Sequence, residues 1–100
     1  MINGEMMKEN IVQILVSELG YLDHVADITA DDLINLQPQL QPILKKWLSD
    51  REVENVETNN ISITQLISRG YTFPSALISM DWLLTEPEIA IKELSNELRR

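Results

Sequence analysis

Apolar residues recur at helical spacing along most of the chain. Met7, Ile11, Ile14, Leu15 and Leu19 share one face at a 3.6-residue period, which predicts a helix from Glu5 to Leu19. A short second helix is predicted from Ala30 to Leu36, stopping before Pro38 because the residue ahead of a proline avoids helical angles. A third runs from Pro38 or Pro42 to Ser49 and presents Leu40, Ile43, Leu44, Trp47 and Leu48. Either proline fits a first turn, but one helix cannot hold both in its interior. A fourth helix is predicted over Ile63–Arg69. A fifth covers Phe73–Leu84, with Pro74 in its first turn and Ala76, Leu77, Met80, Leu83 and Leu84 apolar. A sixth spans Glu86–Arg99 with Ile91, Leu94 and Leu98 inward, and its glutamates near the start and Arg99 and Arg100 at the end suit the helix dipole.

Start and stop chemistry supports this division. A helix leaves its first N–H groups unpaired, and a Ser or Thr cap with an acid or amide three residues on satisfies two of them. Thr29 with Asp32, Ser62 with Gln65, and Thr85 with Glu88 carry this box, each flanked by the staple pairs Ile28/Leu33, Ile61/Leu66 and Leu84/Ile89. Gly20 and Gly70 follow predicted helices and offer the left-handed conformation that ends them. Tyr21 and Tyr71 come next, placed to fold back on Val16 and Leu66. The shared stop explains the likeness of 15–21 to 66–71 without a duplication.

Asp50–Asn60 is different. It carries four acids against Arg51, and Val53 and Val56 are three apart rather than two. It reads as an acidic loop dividing one domain, 1–100, into two halves. The other reading is a short hairpin pairing Glu52–Val56 with Ile61–Ile63 across Thr58-Asn59-Asn60. The expected fold is therefore mostly α: a compact single domain of five or six short helices, with a hairpin near 52–63 as the variant.

Composition narrows the chemistry. The 100 residues are 44% apolar, enough for a core, and carry a net charge of −8. There is no cysteine and one histidine, His24, so disulfides, thiol catalysis and a structural zinc site fall away. The carboxylates around His24, namely Asp23, Asp27, Asp31 and Asp32, fail as a calcium loop, since the sixth and twelfth positions from Asp23 are Ile28 and Ile34. Three scattered glycines make no phosphate loop. No nucleophile, oxyanion hole or cofactor motif accompanies His24. The expectation is no enzyme, no cofactor and no metal. No apolar run reaches the roughly 18–20 residues of a membrane span, and Met1–Asn10 lacks the basic and apolar stretches of a signal peptide. A cytoplasmic protein is expected.

Two constellations remain. Leu66, Gly70, Tyr71, Thr72, Ala76 and Leu83 fall near the spacing of a helix-turn-helix within 62–84. The pattern resembles the helix pair of winged-helix proteins, which implies Arg69, Thr72, Ser75 and Ser79 as DNA-reading positions. The turn is one residue short, and Thr85 and Pro87 announce a helix where a wing should follow. Between Ile61 and Leu84 there is one base and one acid, not the basic stripe that phosphate binding needs. The second constellation is apolar. Ile78 and Trp82 form a further stripe on a helix already apolar elsewhere, and Trp47 is the other large anchor. These three are the expected partner contacts. The leading expectation is a small acidic, non-enzymatic interaction or regulatory module that binds a protein or a second copy. A helix-turn-helix regulator and an acidic nucleic-acid mimic that binds a basic protein are the alternatives.

Overall fold

The computed structural model describes residues 4–99, with side chains from Met7 onward; Arg100, expected to complement the last helix's dipole, lies outside them. The fold is mostly α. Its contacts fall into two units, Met1–Leu36 and Gln37–Arg100.

The first unit is a helical hairpin. Helix α1 spans Gly4–Leu19 and helix α2 spans Asp23–Ile34, and the two pack on each other. Ile11, Ile14 and Leu15 are buried, as the periodicity predicts, while Leu19 at the helix end is exposed. Gly20 takes φ +73 and turns the chain, and the Tyr21 N–H donates to the Leu15 carbonyl at 3.0 Å. Helix α2 begins seven residues earlier than the Thr29 box predicts. The position ahead of it is Leu22, which makes no side-chain cap bond, so packing rather than capping holds the start. Ala26, Ala30 and Leu33 recur at i, i+4 and i+7 and are fully buried. Two alanines in that row let the helices approach closely. Thr29 therefore sits inside α2, and its supposed staple residue Ile28 points outward.

The second unit is built around one helix. Pro38–Leu40 forms a single 3₁₀ turn and α3 follows over Gln41–Asp50. Both prolines are accommodated because each lies in the first turn of its own element. The acidic stretch ends in a hairpin tighter than the sequence pattern predicts. Strand β1 (Glu57–Thr58) pairs antiparallel with β2 (Ile61–Ser62), in the register Glu57 to Ser62 and Thr58 to Ile61. Asn59 and Asn60 both take positive φ, 54 and 67, which is the two-residue turn whose twist suits a hairpin. Thr58 thus belongs to a strand rather than to the turn, and the expected pairing of 52–56 is reduced to one bond, from the Ile63 N–H at the start of the next helix to the Val56 carbonyl at 3.0 Å.

Helix α4 (Ile63–Ser68) carries the complete capping box. Ser62 Oγ accepts the Gln65 N–H at 3.2 Å, and Gln65 Oε1 accepts the Ser62 N–H at 2.7 Å. Its end is a Schellman motif. The Tyr71 N–H donates to the Leu66 carbonyl and the Gly70 N–H to the Ile67 carbonyl, with Gly70 at φ +102. Helix α5 (Phe73–Thr85) starts at Thr72, whose Oγ1 accepts the Ser75 N–H. Every residue of α5 from Phe73 to Leu84 is buried or half-buried. It packs against β1, α4 and α6 (Pro87–Arg99), so its all-round apolarity belongs to a central helix. The Thr85 box is not what starts α6. Thr85 ends α5 and turns its hydroxyl back to the Asp81 carbonyl at 3.1 Å, while Pro87 opens α6.

Two substitutions test this reading. Ser62→Ala removes a buried cap and is expected to lower stability by about 1 kcal/mol. Leu77→Ala opens a cavity in the central helix's packing and should cost about 2–5 kcal/mol. Urea unfolding with unchanged slope measures both. A Ser62→Ala protein as stable as the parent would show that the box is decorative.

Candidate functional site

The residues expected to read DNA are engaged within their own unit. Thr72 Oγ1 caps α5 and donates to Ser75 Oγ at 3.1 Å. Ser75 Oγ bonds back to the Thr72 carbonyl at 2.9 Å, and Ser79 Oγ to the Ser75 carbonyl at 2.8 Å. All three are half-buried. Arg69 Nη2 donates to the Glu97 carbonyl at 3.1 Å, tying the end of α4 to α6. Nearby, burial and the carboxylate of Glu97 raise the Tyr71 hydroxyl above its ordinary pKa.

Among the expected partner contacts, Trp47 is 5% exposed. Its ring stacks on Phe73 with centroids 4.9 Å apart and planes 17° from parallel. Arg51 also lies over the Trp47 ring, its guanidinium carbon 5.3 Å from the centroid. Arg51 also ends α3. It takes a left-handed φ of 62, and its Nη1 donates to the carbonyls of Trp47 and Leu48 at 3.1 and 2.6 Å. Trp47 is therefore a joint between α3 and α5. Ile78 and Trp82 are half-buried on α5.

The acidic cluster is organised by one lysine. Lys8 Nζ lies 3.0 Å from Asp27 Oδ1 and 3.0 Å from Asp31 Oδ1, bridging α1 to successive turns of α2. Hydrogen bonds donated to Asp31 and then Asp27 raise the Lys8 pKa above its ordinary value, against a smaller opposing effect of desolvation. A groove of about 590 Å³ runs beside this pair, lined by Lys8, Glu9, Val12, Gln13 and Asp27. His24 is exposed on α2. Among the described residues, no group of three or more His, Asp or Glu side chains is arranged to hold a metal ion.

The most unusual surface lies elsewhere on the same unit. Of the six exposed large hydrophobic residues among those described, four fall between Leu19 and Ile28. Leu22 is 66% exposed, Val25 40% and Ile28 61%. Val25 and Ile28 stand on the side of α2 away from the buried Ala26, Ala30 and Leu33. Asp32, at i+4 from Ile28 and i+7 from Val25, continues that side. This surface is missed when α2 is taken to start at Ala30, because 22–28 then reads as loop. The row Ala26, Ala30, Leu33 is the signal that finds it. No helix among the described residues is long and apolar enough to cross a membrane. No protein-family model matches the chain, and neither the curated proteins nor the solved structures contain a significant match to it.

The ion pair has a defined pH dependence. A lysine whose pKa is raised on folding stabilises the fold fully below its ordinary value of 10.5, and that contribution fades as pH rises through the higher folded value. The stability difference between the parent and Lys8→Met is therefore expected to shrink as the pH is taken from about 9 to about 12. Thermal unfolding of both proteins reads it, and since Tyr71 is common to both its own titration cancels. A difference that stays constant over that range would rule out an ionised pair as its source.

Proposed function

We propose that this chain is a small acidic, non-enzymatic protein–protein interaction module of the cytoplasm. The observation that carries this reading is the grouping of exposed aliphatic side chains at Leu19, Leu22, Val25 and Ile28, among exposed acidic and polar residues. Isolated exposed aliphatics are ordinary, but a contiguous apolar face rimmed by polar groups is the usual mark of a contact surface.

Charge favours a protein partner over nucleic acid. The first 36 residues hold seven acids and one lysine, while 37–100 hold nine acids and seven bases. A duplex approaching the first unit meets strong repulsion. One approaching α4 and α5 meets hydroxyls already bonded to their own helices. A helix-turn-helix role would need those hydroxyls released and a basic rim supplied from elsewhere.

A titration of labelled mixed-sequence duplex DNA at about 50 mM salt, repeated near 200 mM, separates these readings. No saturable binding at either concentration is the expected result. Binding at low salt that collapses at the higher concentration would overturn the interaction-module reading in favour of a DNA-binding regulator.

A further inference from the structure

Three places could do more than has been described: the groove beside Lys8, the corner around Ile89, and the outward face of α2. The groove's polar lining is the Lys8–Asp27 pair with Glu9 and Gln13, so its cation is already engaged. The corner at 86–89 offers one exposed large aliphatic, Ile89, with Pro87 beside Glu86 and Glu88. The outward face of α2 carries the argument further, because both its shape and its charge select an occupant.

We infer that Leu22, Val25 and Ile28 form the docking site of a basic amphipathic helix of another protein, with Asp32 receiving one of its cations. The inference rests on the interaction-module reading and names the chemistry of the partner. Val25 and Ile28 are neighbours on α2 at i and i+3, and Leu22 precedes its first residue in an extended conformation. A group of three aliphatics matches the anchor set of one amphipathic helix, not a broad flat interface. Charge decides the sign of the partner. Asp27 and Asp31 hold Lys8, and Asp32 lies beside the apolar row. The last turn of α2 contains no basic residue, and neither does that of α1, which ends at Leu19 beside the row's other end. The α2 C-terminus adds partial negative charge beside Asp32, while at the Leu22 end the α1 C-terminus and the α2 N-terminus oppose each other, so the seven acids against one lysine in 1–36 set the sign. A second copy of this chain would bring a like-charged hairpin to the same place, which opposes self-association there.

The test uses the full chain and a synthetic peptide of about 18 residues, with leucines on one helical face and lysines on the other. Its controls are a lysine-only peptide of equal charge and a leucine–glutamate analogue. The leucine–lysine peptide is expected to bind saturably and to move amide resonances of 19–32. Ile28→Ser is expected to weaken binding about tenfold or more, the scale of losing one buried aliphatic contact. Asp32→Asn should weaken it a few-fold and flatten its salt dependence. Ile89→Ser, which removes an equally exposed residue on α6, should leave it unchanged. Ile28 is exposed, so its variant should keep the parent's melting temperature, which is checked first.

Equal binding of the lysine-only peptide, shifts confined to 37–99, or an Ile28→Ser protein that binds like the parent would each overturn the assignment. So would failure to bind the peptide. Sedimentation of the parent and Ile28→Ser then tells which idea has failed. Self-association lost in the variant makes the occupant a second copy and keeps the interaction-module reading. A strict monomer with no peptide binding removes that reading at this face as well.

Discussion

The second unit depends on covering α5 from every side. From Phe73 to Leu84 this helix has eight apolar residues and a proline among its twelve positions, and none of the twelve is left exposed. A helix apolar all round is stable in water only when enclosed. The remaining elements are short because each supplies one part of the enclosure. The α4 turn and α6 lie against it, β1 touches it, and α3 reaches it through the Trp47–Phe73 stack. The polar groups that go inside with it must find partners, since a buried carboxylate without one is costly. Asp81 accepts the Gln37 N–H at 2.8 Å, which fixes the chain just ahead of the Pro38 turn. Ser75 and Ser79 bond to their own helix. The same enclosure thus dictates packing and the use of the side chains most capable of recognition.

The first unit solves its burial problem with less material. Two helices have only each other to bury against, so α2 uses Ala26 and Ala30 for close approach and Leu33 for bulk. Lys8 adds two carboxylates to the same seam. The ion pair is exposed enough that its contribution to stability is small, and the buried row of α2 sets which turns meet. A hairpin of this kind has one apolar seam to hide. Additional aliphatics at Leu22, Val25 and Ile28 are not required by that seam, which is why their presence asks for a function.

The elements whose ends are written in local chemistry were legible in the sequence, and those held by packing were not. The Ser62–Gln65 box and the Gly70 stop place α4 to within a residue because the bonds that define them lie within five positions of each other. The start of α2 has no such bonds. Leu22 caps nothing, and the nearby Thr29 box offers a false beginning that burial of Ala26 overrides. Thr85 misleads in the same way, since a hydroxyl at a helix boundary can close the old helix as well as open the new one. The hairpin was only half readable. Its two-residue turn is written in Asn59-Asn60, yet strands two residues long carry no alternation to detect. The same distinction governs function. Residue types singled out for chemistry, such as Thr72, Ser75 and Trp47, are engaged by neighbours that only the fold reveals.

Segregation of charge gives the first unit its character. Most of the chain's excess negative charge lies in 1–36, while 37–100 is nearly balanced. At physiological salt such a field decays within about 8 Å, so it acts on whatever touches the hairpin rather than on distant molecules. Charge at the edge of an interface sets approach and selectivity, whereas apolar contact sets how long a complex lasts. The outward face of α2 holds both kinds of group within two turns of one helix. Neither kind is needed for the α1–α2 seam, which closes on the opposite side. A surface that the fold does not require and that combines both roles is where selection for binding, rather than for folding, would leave its mark.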